Sequence, residues 1–287
     1  MFDDSDLRLI PGIESIEASF NPSDSGFKQV YACTVNGKKN AVKVTKVADR
    51  SGLDEGRINR LRRELELLSA LSSPYLPKLG DLPVQQYRKS DSAFIVYSEE
   101  FIEGEDVSEL VEQDFFADPT KVTQLIHDVC SAIKIYWSHE RTVHRDVKPA
   151  NIRYSTTTNK FILIDAGIAL VRDRTTITPS GHGSPRTPCY AAPEVIRNER
   201  NISYRTDLFC LGIVAYEAAL RQHPFMRQNM SRQQIEDAIL TVDPANISDQ
   251  RQDLPAPVSS IIMKMLRKRP HQRPISLDDI IDIGSAT

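Results

Sequence analysis

The sequence is poor in several things that would have marked a function class. Cysteine is scarce: four in 287 residues, at Cys33, Cys130, Cys189 and Cys210, with no metal-ligand spacing. Scattered thiols of this kind are expected to be reduced, in a cytoplasmic protein. No apolar run reaches the ~18 residues that a membrane span needs, so no membrane association is expected. An excess of one charge is also missing, since Lys+Arg 36 against Asp+Glu 39 leaves a net charge of -3. That balance offers no electrostatic footprint for nucleic acid. The N-terminus, Met1-Phe2-Asp3-Asp4-Ser5-Asp6, is acidic where a signal peptide is basic. Repeats and low-complexity linkers are absent. What remains is an ordinary globular composition, 40% hydrophobic and 26% charged, long enough for one large domain or two lobes sharing a cleft.

Within it, one stretch concentrates chemistry: His144-Arg145-Asp146-Val147-Lys148-Pro149-Ala150-Asn151. Asp146 could accept a proton, Lys148 hold a phosphoryl oxygen and Asn151 hold a hard metal ion. Phosphoryl transfer asks for those three things, because its catalysis is mostly positioning and neutralisation of charge. The rest of the chain must then supply a metal-binding acid, a phosphate-binding lysine and a nucleotide pocket.

Residues 27–47 read as two strands turning at Asn36-Gly37, a dipeptide suited to a tight primed turn. In the second strand Lys43 lies on the face opposite Val42 and Val44. A lysine in an apolar strand is ordinarily an edge or solvent-facing residue. Residues 54–71 read as a helix, with Ile58, Leu61, Leu65, Leu68 and Leu71 at helical spacing and Pro74 as a stop. Glu64 falls at the margin of that stripe, where a surface acid paired with a nearby arginine is the plain expectation and a partnership with Lys43 the functional one. Residues 93–97 suit a buried strand, and Gly104 marks a break after it. Helices are expected over 120–139, 205–220, 231–241, 257–268 and 276–283. Ile152 to Tyr154 and Phe161 to Ile164 read as a hairpin, with Asp165-Ala166-Gly167 at its end. Residues 172–189, rich in Arg, Thr, Ser, Gly and Pro, read as an exposed loop.

Placed in this order, the pieces resemble the eukaryotic-type protein kinase family over nearly the whole chain. The stretch 144–151 matches the catalytic loop H-R-D-x-x-x-x-N, Ala41-Val42-Lys43 resembles the V-A-I-K strand, and Ala192-Pro193-Glu194 matches A-P-E. The resemblance implies an α+β, bilobal kinase fold spanning 1–287: a strand-rich N-lobe (1–100), a hinge (101–104) and a mostly helical C-lobe (105–287). It implies ATP and Mg²⁺, or Mn²⁺, as cofactors and a protein substrate; Lys148 points to serine or threonine. Asp146 would take the substrate proton and Lys148 steady the phosphoryl group. Asn151 and Asp165 would hold the metal. Lys43 would hold the α- and β-phosphates, fixed by Glu64. Adenine would meet the backbone of Glu100 to Ile102, with Val30 and Ala41 above it. Thr187, in Thr187-Pro188-Cys189-Tyr190, would bond near Asp146 and Lys148. Asp207 would brace the loop, and Arg273 would pair with Glu194.

Arg145 beside the acid implies control by loop phosphorylation, since a phosphate adds about -1.5 to -2 charge for arginines to meet. Thr175, Thr176, Thr178, Ser180 and Ser184 are the candidate acceptors. At least one is expected to be autophosphorylated, in trans through self-association. No sensor domain or docking tail lies outside the kinase-like stretch, so a stand-alone kinase or an excised catalytic domain is expected.

Four departures accompany the resemblance. Ser23, Ser25 and Lys28 stand where the phosphate lid has glycines, whose absence loosens the approach of backbone N–H groups to phosphate; a solvated Lys28 is expected. Ala166 replaces a phenylalanine, forgoing about 2–3 kcal/mol of apolar burial if nothing refills the gap. Glu99 stands at the back of the pocket, and Arg153 where an apolar side chain would lie against adenine; their charges permit a Glu99–Arg153 pair. An active kinase is the main reading and a nucleotide-binding pseudokinase the alternative. A small-molecule phosphotransferase is disfavoured by Arg145, Lys148 and Ala192-Pro193-Glu194.

Overall fold

The computed structural model describes residues 2–20, 28–166, 170–171 and 187–285. They form two compact units. The first takes residues up to 72 together with 77–102; the second takes 73–76 and most of the chain from 103 onward. The fold is α+β.

In the first unit a short helix α1 (Asp4–Leu7) precedes β1 (Ile13–Phe20), β2 (Lys28–Val35), β3 (Lys38–Asp49), β4 (Gly52–Leu53), helix α2 (Glu55–Ala70), β5 (Gln85–Lys89) and β6 (Ser92–Glu100). The strands make one antiparallel sheet in the order β1-β2-β3-β6-β5, with β4 on β3. The β2–β3 turn carries positive φ at Asn36 (51°) and Gly37 (72°), as a primed turn demands. Alternation along β2 and β3 then sorts the side chains onto two faces. Tyr31, Cys33, Val42 and Val44 enter a core closed by Phe2, Leu7 and Ile10. On the opposite face Tyr97 and Val47 pack with Leu61 of α2. Lys43 lies on this α2 side, in register with Val30 and Tyr97.

The second unit opens with β7 (Gly104–Asp106), α3 (Val107–Glu112), α4 (Pro119–Ser138), β8 (Thr142–Val143), β9 (Ile152–Ser155), β10 (Lys160–Leu163) and β11 (Leu170–Val171). Then follow α5 (Pro193–Ile196), α6 (Tyr204–Leu220), α7 (Arg232–Thr241), α8 (Ala256–Met265) and α9 (Leu277–Ser285). Helix α4 starts where Asp118 caps the Thr120 N–H and Pro119 takes a first-turn position. It packs against β10, α6 and α9. Helix α6 is buried from Thr206 to Tyr216, which explains its apolar residues on every side. Gly104 sits at φ 136°, and a Cβ there would meet the Tyr154 carbonyl oxygen at 1.9 Å. Only glycine lets β7 lie against β9. Among the described residues no helix is long and apolar enough to cross a membrane.

Candidate active site

The second unit presents its chemistry on the loop that leaves β8. Asp207, in the first turn of α6, accepts the N–H groups of His144 and Arg145, each at 2.8 Å. That bracing holds Arg145 at φ 68°, a left-handed conformation that costs a non-glycine residue roughly 1–2 kcal/mol. Burial pushes the Asp207 carboxyl up to about 7, against the two amides that favour its charged form.

Beyond this turn the side chains converge. Lys148 Nζ donates to Asp146 Oδ2 at 2.8 Å. Asn151 Nδ2 donates to the same Oδ2 at 2.8 Å and to the Asp146 carbonyl at 2.9 Å. With both bonds on Oδ2, Oδ1 remains as the carboxylate atom for an incoming hydroxyl. The Asn151 amide nitrogen faces two oxygens, so its Oδ1 is the end available to a cation. The Ile164 N–H donates to the Asn151 carbonyl at 2.9 Å, which ties the end of β10 to this loop. Asp165 follows at φ 64°, half-buried. Among the described residues no cluster of three or more His, Cys, Asp or Glu could hold a metal. A carboxamide and a carboxylate do fit a hard ion that takes its other ligands from phosphate and water.

Two buried anchors hold the segment after residue 187. Arg273 grips Glu194 in a fork, Nη1 to Oε1 at 2.7 Å and Nη2 to Oε2 at 2.8 Å, and Thr206 Oγ1 adds a bond to Oε1 at 2.9 Å. His223 accepts the N–H groups of Phe225 (3.1 Å) and Met226 (2.9 Å) at Nδ1, which leaves Nε2–H to donate to the Cys189 carbonyl at 3.1 Å. Burial lowers the His223 pKa from 6.5 to about 4. A group depressed on folding stabilises the protein above its unfolded pKa, and that contribution fades as pH falls from about 6.5 towards 4. Between pH 7 and pH 4.5 the wild type should therefore lose about 2–3 kcal/mol more unfolding free energy than His223→Gln. Denaturant titrations of both proteins at the two pH values measure this, and equal losses would contradict it.

The first unit holds a quartet of charges, three of them buried. Lys43 on β3 donates to Glu64 Oε1 of α2 at 3.1 Å and makes a close bond with Glu99 of β6. Lys28 on β2 donates to Glu64 at 2.9 and 3.2 Å. Lys43, Glu64 and Glu99 are each at most 5% exposed. Burial raises the Glu99 pKa, and the Lys43 ammonium opposes that rise. Val30 and Ala41 are half-buried on the same face of the sheet, Ile102 is buried, and the Glu100 N–H donates to the Lys78 carbonyl at 2.9 Å. Glu100 can therefore serve a ligand edge only through its carbonyl.

Comparison with known proteins supplies the family. The model of the protein kinase domain matches residues 25–282. This chain belongs to the protein kinase family. It is 28% identical over 219 residues to the serine/threonine-protein kinase PknB of Mycobacterium leprae, covering 75% of this chain and 33% of that protein. It is 29% identical over 224 residues to PknB of Mycobacterium tuberculosis, with the same coverage, and 26% identical over 235 residues to the serine/threonine-protein kinase pkn3 of Myxococcus xanthus, covering 78% and 41%. The chain thus spans about a third of the length of the PknB relatives.

Within this kinase domain several expectations need correction. Glu64 is not a surface acid but a buried one, 3% exposed, shared by two lysines. Lys28 is not solvated; its ammonium is committed to Glu64, and its side chain is 19% exposed. Glu99 bonds with Lys43, while Arg153 bonds with Asp106 at 2.9 Å and with the Gly104 carbonyl, in place of a Glu99–Arg153 pair. Ala166 is buried. Ser23, Ser25, Thr175, Thr176, Thr178, Ser180 and Ser184 fall outside the described residues, as does the Thr187 side chain. Glu99 as partner of Lys43, and His223, went unforeseen. The first lay in an acid on an otherwise apolar strand, the second in an isolated histidine that sequence alone cannot place.

Proposed function

We propose that this kinase domain transfers the γ-phosphoryl group of ATP to serine or threonine hydroxyls of protein substrates. The observation that carries the reading is the convergence of Lys148 and Asn151 on Oδ2 of Asp146, at 2.8 Å each. Asp146 Oδ1 takes the hydroxyl proton as the oxygen attacks. Lys148, 2.8 Å from that carboxylate, neutralises charge on the phosphoryl oxygens. Asn151 through Oδ1 and Asp165 through its carboxylate would hold Mg²⁺, or Mn²⁺. A metal ion held there would supply positive charge against the phosphate oxygens. Lys43 holds the α- and β-phosphates. The Glu100 carbonyl and the Ile102 backbone meet the adenine edge, with Val30 and Ala41 against its face.

The acceptor loop is part of the proposal: at least one of Thr175, Thr176, Thr178, Ser180 and Ser184 is autophosphorylated in trans, and Arg145 answers the added charge. The four buried cysteines fit a reducing, cytoplasmic setting. Incubation with labelled ATP and generic protein substrates should place label on serine and threonine. Mass spectrometry should find phosphate on residues 172–187 of the wild type and none on Asp146→Asn. Label on tyrosine alone, or the same loop phosphate in both proteins, would contradict the reading. A second reading, a nucleotide-binding module with little transfer, is favoured by one observation, that a second carboxylate engages Lys43.

A further inference from the structure

Two departures of this chain from the kinase pattern meet in one place. Lys28 stands on β2 and Glu99 on β6, on either side of Lys43 on β3. Lys43 Nζ directs bonds at two carboxylates, Glu64 and Glu99, out of the three N–H donors an ammonium has. Lys43, Glu64 and Glu99 together carry a net charge of about -1 when ionised, a poor electrostatic host for a polyphosphate. Lys28 reaches the same Oε1 of Glu64 that Lys43 reaches, at 2.9 Å against 3.1 Å. It brings the quartet to neutrality. It is also the more accessible of the two lysines, with side-chain exposure of 19% against 6%, on a four-carbon stem that can turn its ammonium from carboxylate to phosphate.

We infer that Lys28 is a second phosphate-binding lysine, which supplies to the polyphosphate of a nucleoside triphosphate the cation that Glu99 withdraws from Lys43. The inference rests on the reading of Lys43 as a nucleotide-binding residue. In this arrangement Lys28 and Glu99 compensate one another. A lysine where the lid would carry a glycine, and an acid behind it, make one charge-balanced device through Glu64 and Lys43. Glu99 without Lys28 repels phosphate, and Lys28 matters less once Glu99 is neutral.

Isothermal titration calorimetry on the full chain separates the outcomes, with ATP and adenosine as ligands and thermal melting as a check on folding. Lys28→Met, which keeps the apolar stem, should weaken ATP about tenfold or more and leave adenosine unchanged. Lys28→Arg should stay within about threefold of wild type, because the charge is kept. In the Glu99→Gln background the same Lys28→Met change should cost about threefold or less. An equal loss of ATP and adenosine affinity would overturn the inference, by making Lys28 a structural residue. So would the same penalty with and without Glu99. A wild type that binds ATP with an affinity indifferent to Lys28 overturns the inference alone. A wild type that binds no ATP ends the nucleotide reading and the inference with it.

Discussion

Asp146→Asn should cut phosphoryl transfer by about 10²–10⁴-fold while the protein stays folded. The substitution keeps the size of the side chain and keeps an oxygen for Lys148 and Asn151. What it removes is the charge proposed to take the hydroxyl proton. The stability cost is small because the Asp146–Lys148 pair is partly exposed, 18% and 22% at the side chains; such pairs are worth about 0–1 kcal/mol. The loop itself is held elsewhere, by the Asp207 bonds to His144 and Arg145. Initial rates at saturating ATP, beside a thermal melt, measure both halves. A variant that retains transfer within about threefold, against the 10²–10⁴ expected of a general base, would remove Asp146 from the chemistry. ATP affinity should change little, since the proposal gives the hydroxyl to Asp146 and the phosphates to Lys43.

The second large effect is on stability. The Arg273 side chain is fully buried and its partner Glu194 is 1% exposed. All five guanidinium N–H donors are used: Nε on the Arg267 carbonyl (2.8 Å), Nη1 on Glu194 and the Arg205 carbonyl (2.7 and 2.8 Å), Nη2 on Glu194 and the Lys268 carbonyl (2.8 and 3.1 Å). Arg273→Ala strands a buried carboxylate and three carbonyls. Breaking a buried pair from one side costs about 3–5 kcal/mol, a large share of the 5–15 kcal/mol of a typical domain. Arg273→Lys should recover little, because an ammonium cannot reproduce the planar fork. Arg273→Met with Glu194→Leu should recover more than either single change, since no charge is then left unpaired. Chemical denaturation of Arg273→Ala, Arg273→Lys, Arg273→Met, Glu194→Leu and the double variant tests this, and a stability of Arg273→Ala within about 1 kcal/mol of wild type would contradict it.

Much of this was legible in the residues, and the failures have physical causes. Helix α4 was expected over 120–139 and spans Pro119–Ser138, because a proline start, an Asp cap and a full apolar stripe agreed. The Asn36-Gly37 turn was likewise readable from the φ > 0 it needs. Strand β1 was not foreseen. Its apolar residues Ile13 and Ile16 stand three apart, and register shifts between Ile13 and Ser15 and between Ile16 and Ala18 explain the spacing. A bulged strand breaks the period of two that would announce it. The role of Phe2 and Leu7 was hidden by the acids around them, which cap α1 and meet Lys89.

At the site, motif residues were found because their spacing along one loop is local. Asp207 and Arg273 needed the family pattern, being distant in sequence from what they bond. Read locally, Lys28 is a solvated lysine and Glu99 an acid at the back of the pocket. Only strand order places both beside Lys43, and one sequence carries no direct sign of strand order. Burial within a Lys–Glu quartet is likewise invisible to a local rule, which prices each charge as a surface group.

The loop 144–151 is proposed here as a working phosphotransfer site. The direct measurement is the rate at which labelled phosphate passes from ATP to a generic protein substrate in the presence of Mg²⁺, for wild type and Asp146→Asn. Wild type should transfer label to serine or threonine, and the variant should lose at least about a hundredfold in rate. Tight ATP binding by a wild type that transfers nothing would contradict it.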